Sequence, residues 1–253
     1  MKYREQRFNQ TAARTSTTTL TLAAVALAIP TVFHVTTVGI SHEWSRATEQ
    51  KLSLAIAVVL FVTYGCMLSF ELVTHKQLYA GQSVEEGESG KDVRRWSVPQ
   101  AILVLLAATA LVALMSELLV DAVEAARASL GLTELFVGVI VIAIIGNAAE
   151  HSTAVLMAMK NKMGVSLGIA VGSSLQIALF VAPVLVFCSH LLGRPMDLEF
   201  TLPEIVAMIV AVHLIFQING DGETNWLEGV QLLSVYLILG TLFFYLPEST
   251  AEN

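Results

Sequence analysis

Apolar residues fall in long blocks along this chain, and the polar residues gather in the short stretches between them. Seven blocks reach the roughly 20 residues a helix needs to cross the hydrocarbon of a bilayer: 17–40, 51–73, 98–120, 134–159, 165–192, 201–219 and 226–247. The pattern predicts an all-α multi-spanning membrane protein of about seven transmembrane helices. It divides into a tail (1–16), two helices (17–73), an acidic linker (74–97), five helices (98–247) and a short C-terminal tail (248–253).

Composition excludes the main alternatives. Of 253 residues, 55% are hydrophobic and 14% charged, and the mean hydropathy is +0.69. Soluble domains carry about 25% charged residues. Disorder and a water-soluble globule are therefore excluded, and seven spans leave no room for a soluble enzyme domain. A net charge of −7 argues against a nucleic-acid partner. Lys and Arg in alternate loops total 10 on the side of the N-terminal tail and 4 on the other, which puts the N-terminus in the cytoplasm. The basic start followed by an apolar block is shaped like a signal peptide, but its long tail and the closely following second block make it a first span. Cys66 and Cys188 lie in apolar blocks and read as small buried hydrophobes without a disulfide role. Asn9-Gln10-Thr11 fits a glycosylation acceptor but falls on the cytoplasmic side, so it reads as chance. The linker cluster Glu85, Glu86, Glu88 and Asp92 either gathers cations or is a solvated connection.

The chemistry lies where polar groups enter the apolar blocks. A carboxylate near the bilayer centre costs about 2.5–3.5 kcal/mol by insertion scales and usually faces a cavity or a partner. Glu150, in Gly146-Asn147-Ala148-Ala149-Glu150-His151, lies ten residues before Lys160 and so roughly 15 Å deep at 1.5 Å per residue. The next block returns from the same loop with Gly172-Ser173-Ser174-Leu175-Gln176, which places Ser173 and Gln176 at a similar depth. Asn147 and Glu150 are spaced i, i+3, as are Ser173 and Gln176, so each pair can share a helix face, and the short turn 161–164 lets the two helices lie side by side.

One carboxylate, two amide carbonyls and the hydroxyls of Ser173 and Ser174 make a hard-cation donor set, without the imidazole and thiolate groups that favour zinc or copper. Glu150, Asn147, Gln176 and Ser173 are the candidate cation ligands. Gly146 and Gly172, with Gly164 and Gly168, allow close packing or a helix break that releases carbonyls. Interhelical hydrogen bonding is the competing role for Asn, Ser and Gln in such helices. His151 neighbours Glu150 and is either a proton carrier or a packed histidine. Glu117, Asp121 and Glu124 form a stripe that either draws cations along an access path or is a wet helix end. His34, His190 and His213 read as isolated packing residues.

The run from Gly146 to His151, followed by Lys160-Asn-Lys-Met163 and by Gly168-Ile-Ala-Val-Gly-Ser-Ser-Leu-Gln-Ile-Ala-Leu-Phe180, closely resembles the second signature repeat of the calcium/proton exchanger family of cation/calcium antiporters. On that resemblance, 17–73 is similar to the fifth and sixth helices of the family, 74–97 to its acidic linker and 98–247 to its second five-helix half. The family pairs two such halves in inverted topology, each supplying a broken-helix motif. The resemblance implies calcium export in exchange for protons. Glu150 would bind calcium and protons in turn, Asn147, Gln176 and Ser173 would be further ligands, His151 a proton-linked neighbour and Glu117 the acidic position of the preceding helix. It implies no permanently bound cofactor, with Ca2+ and H+ as transported ions. The host would be the inner membrane of a bacterium or the vacuolar membrane of a eukaryote.

The first half's own Gly-Asn-Ala-x-Glu motif is missing from these 253 residues, which suggests a chain truncated at its N-terminus or a non-transporting half completed by a second chain. A seven-span photoreceptor is excluded because 226–247 contains no lysine for a Schiff base. A zinc hydrolase is disfavoured because no His-x-x-x-His pair occurs.

Overall fold

The computed structural model describes residues 3–38, 46–79 and 97–247. The acidic cluster at 85–92 lies outside the described residues. The helices are α1 (Gln10–Val38), α2 (Arg46–Thr74), α3 (Lys76–Tyr79), α4 (Val98–Leu130), α5 (Glu134–Gly146), α6 (Ala148–Met159), α7 (Met163–Leu191), α8 (Leu202–Ile218) and α9 (Trp226–Tyr245). Two three-residue strands, β1 (Glu5–Arg7) and β2 (Glu223–Asn225), pair antiparallel. Over the described residues each of the seven predicted blocks is mainly helical, with 134–159 broken at Asn147. Among the described residues, five helices are long and apolar enough to cross a membrane, or six if α5 and α6 count as one broken span. At 17 residues, α8 is apolar but shorter.

The chain divides into two compact units, Met1–Glu85 with Ala149–Val235, and Glu86–Ala148 with Tyr236–Asn253. In the first unit α1 packs on α8 and α7, and α2 on α7. Ala23 and Leu27 of α1, Ala57 and Leu60 of α2, and Val171, Leu175, Leu179 and Val186 of α7 form one buried cluster with Leu198. Val171, Leu175 and Leu179 recur every four residues, so they form one face of α7. Within α7 the ladder widens to a π turn at Ile177–Val181, just ahead of Pro183, where the proline ring removes an N–H and crowds the preceding turn.

The connections of this unit gather at two ends. At one end β1 joins β2, with Arg7 and Glu223 in an ion pair at 2.8 Å, and the Phe8 N–H donates to Gly222 O at 3.0 Å. Asn9 Nδ2 donates to Leu78 O, while Asn9 Oδ1 accepts from the Ala12 N–H and caps α1, so the role of this asparagine is structural. At the other end the connection 192–201 is tied to α1 and α2. The Leu198 N–H donates to Ser53 Oγ at 3.0 Å, and the Thr31 hydroxyl bonds both backbone groups of Phe200. The N-terminal segment, residues 75–79 and the 219–225 turn thus lie at one end of this unit and 192–201 at the other.

In the second unit Ser97 and Gln100 close a capping box on α4, Gly131 ends it at φ 65°, and Thr133 caps α5. Arg127 pairs with Glu124 at 2.9 Å and Glu134 at 3.3 Å. Phe136 of α5 meets Phe244 of α9 edge to face at 5.3 Å. No described residue of α4 is buried.

The two cysteines correct the sequence reading. Both are free, but both are exposed on their helices. In a bilayer protein the outer surface is as apolar as the core, because lipid tails solvate it, so an apolar neighbourhood does not imply burial.

Candidate cation-binding site

The signature region contains a helix break. Asn147 separates α5 from α6 with φ −99° and ψ 16°, outside the helical basin. Its side-chain Nδ2 donates to Ala143 O at 2.9 Å, beside its own backbone N–H at 3.1 Å. The amide nitrogen is thereby turned onto its own helix, and Oδ1 is left without a hydrogen bond among the described residues.

Glu150 lies in the first turn of α6, three residues after the break. Its Oε2 is buried and accepts no hydrogen bond among the described residues. A buried carboxylate oxygen normally has a partner, so this atom is available to a ligand. His151 follows it on the exposed side of the helix.

Across the turn, Lys162 N–H donates to Met157 O at 2.9 Å and Asn161 adopts φ 61°, a left-handed cap that ends α6 before α7 begins. On α7, Ser173 and Gln176 lie off the buried Val171–Leu175–Leu179 face. The hydroxyls of Ser173 and Ser174 donate back to Ala170 O at 3.3 and 3.1 Å, which leaves their lone pairs free, while Gln176 is exposed at the start of the π turn.

The expected side-by-side packing of α6 on α7 is not the arrangement observed. The apolar face of α7 is committed to α1 and α2, and α6 makes no comparably extensive contact with any described element. The structure therefore presents Glu150 with His151 on α6, and Ser173 with Gln176 on α7, as two polar groups with no hydrogen bond joining them. Gly146 and Gly172 both have open space where a Cβ would stand, so neither is required for close helix contact. Glu117 and Asp121 are exposed on one face of α4, and Glu124 on that face is held by Arg127.

His190 Nδ1 lies 2.9 Å from Val186 O, and His213 meets Gln217 at 3.0 Å, so both serve their own helices. His34 differs from its sequence reading: its ring lies between Glu49 and Glu199. No local spacing could reveal that grouping, since the three residues come from three separate segments.

Comparison with known proteins identifies the frame that carries these groups. The family model described as sodium/calcium exchanger protein matches residues 100–245. The Ca(2+)/H(+) antiporter of Aphanothece halophytica is 46% identical, with the match covering 98% of this chain and 68% of that protein. The Ca(2+)/H(+) antiporter ChaA of Bacillus subtilis is 45% identical, covering 97% and 68%. The solved structure of native YfkE superposes with a TM-score of 0.76 at 42% identity, covering 97% of this chain and 67% of that one. The broken helix at Asn147, the apolar spans and these matches agree, and the chain belongs to the sodium/calcium exchanger protein family, in its calcium/proton exchanger branch.

Proposed function

We propose that this chain exchanges calcium for protons across a membrane, moving Ca2+ out of the cytoplasm, with Glu150 as the group for which the two ions compete. The observation that carries this reading is the buried Oε2 of Glu150, without a hydrogen-bond partner among the described residues, beside the break between the apolar helices α5 and α6. Were these polar residues only hydrogen-bonding glue between helices, Glu150, Asn147 Oδ1 and Gln176 would be bonded to neighbours, and among the described residues they are not. Relatives named as Ca(2+)/H(+) antiporters at 45–46% identity support the choice of ions.

A carboxylate holds one proton or contributes one ligand to a cation, so binding of either ion expels the other from Glu150. Asn147, Ser173 and Gln176 are the neutral oxygen donors that this reading assigns to a hard divalent ion as it loses its water, and joining Ser173 and Gln176 to Glu150 requires α6 to come closer to α7 than it does here. His151, next to Glu150, passes protons to and from it. Moving one charge against 100 mV costs about 2.3 kcal/mol, so exporting a doubly charged ion against the potential requires more than one proton in return. In this reading the N-terminus faces the cytoplasm and 98–247 forms the five-helix exchange domain.

The test is calcium-driven proton flux in vesicles containing the purified chain, with Glu150→Gln beside the parent. Flux abolished in the variant, with its thermal unfolding unchanged, is the expected result. Equal flux in both would remove Glu150 from the mechanism.

A further inference from the structure

At the end of the first unit away from β1 and β2, three elements bring metal-binding groups together. His34 comes from the last turns of α1, Glu49 from the first turn of α2 and Glu199 from the connection before α8. His34 Nδ1 lies 2.5 Å from Glu49 Oε1, and Nε2 lies 3.3 Å from Glu199 Oε1. One ligand atom from each residue lies within 4.8 Å of the other two. The Glu49 side chain is only 12% exposed, against 37% for His34 and 33% for Glu199.

Two carboxylates share one imidazole, so the three side chains carry two negative charges against at most one positive charge. Asp197 and Arg46 are close enough to act on Glu199 with opposite signs. The ligands are also held in place independently of one another. Thr31, one helical turn from His34, grips Phe200, and Ser53, one turn from Glu49, grips Leu198, so the residues on both sides of Glu199 are fixed to the helices that carry its partners.

We propose that His34, Glu49 and Glu199 form a second cation site, distinct from the Glu150 region, that takes a divalent metal of borderline softness, with zinc as its representative. One imidazole and two carboxylates suit zinc at low coordination number, with water completing the shell. Calcium prefers six to eight oxygens and has little use for the imidazole. On binding, the metal takes one ring nitrogen and any proton on that nitrogen passes to solvent. The ion would tie α1, α2 and the α7–α8 connection at one point. This site does not depend on the transport reading.

The experiment is zinc titration of the tag-free full chain in detergent by calorimetry, with saturating calcium present so that any hard-cation site is filled. One zinc per chain is expected, with X-ray absorption showing a single nitrogen at about 2.0 Å beside oxygen ligands. Both His34→Gln and Glu199→Gln should weaken binding by at least about tenfold, and Glu150→Gln should leave it unchanged. Because Glu199 lies in a connection, its variant remains informative even if His34→Gln fails to fold. Zinc affinity unaffected by either substitution, or lost in Glu150→Gln, would overturn the proposal.

Discussion

The hydroxyl of Thr31 donates to the carbonyl of Phe200 at 2.9 Å and accepts from the N–H of the same residue at 2.8 Å. One side chain on α1 thus satisfies both backbone groups of a residue 169 positions away in the chain. Irregular backbone beside a membrane must find such partners, because water is scarce there.

Thr31→Val keeps the shape and removes both bonds. Thr31 is 3% exposed, so water cannot readily replace them. A loss of about 1–3 kcal/mol is expected, read as a lower thermal unfolding midpoint in detergent. An unchanged midpoint would show that the connection is held by Ser53 alone.

Gly222 has φ +83°, and a Cβ there would sit 3.0 Å from Gln10 Cβ. Alanine meets both the left-handed backbone and that contact, at a cost of about 1–2 kcal/mol or more. Gly222→Ala should loosen β1 from β2 and speed proteolysis near Arg7. Cleavage at the parent's rate would show that the strand pairing does not depend on this turn.

Burial raises the carboxyl of Glu199 above its ordinary value of 4.5, an effect that the opposing pull of nearby His34 does not cancel. An acid with a raised folded-state pKa favours the folded protein when protonated. That contribution is complete below the unfolded value and is lost as pH rises through the folded one. In chelator-treated protein, Glu199→Gln should therefore be more stable than the parent at neutral pH, with the difference shrinking as pH falls towards 4.5. A variant less stable than the parent at neutral pH would contradict this.

Ser173 and Gln176 lie off the packed face of α7, so changing them should disturb transport more than folding. Ser173→Ala and Gln176→Leu are expected to raise the calcium concentration for half-maximal flux while leaving unfolding midpoints near the parent's. Vesicle flux over a calcium series measures this. Unaltered calcium dependence in both variants would remove α7 from the site.

The spans were legible in the sequence because crossing a bilayer demands a long apolar block, whereas Gly146 left close packing and a helix break equally open, and the fold shows the break at Asn147. The packing of α7 was not. Its Val171–Leu175–Leu179 face is no more apolar than its surroundings, and only the fold shows that α1 and α2 cover it. The exposure of Cys66 and Cys188 was hidden for the same reason. His34 could not be placed from sequence at all, since its carboxylate partners lie 15 and 165 positions along the chain.

The π turn at Ile177–Val181 holds one residue more than an α ladder requires. Deleting a single residue within it would let the ladder close into ordinary α-helix, with the segments on either side keeping their rotational phase. Elsewhere in α7 the same deletion would swing everything beyond it by about 100°. This stretch between Gln176 and Pro183 is therefore where the helix can best absorb a change of length, and homologous chains differing by one residue in this span should differ here.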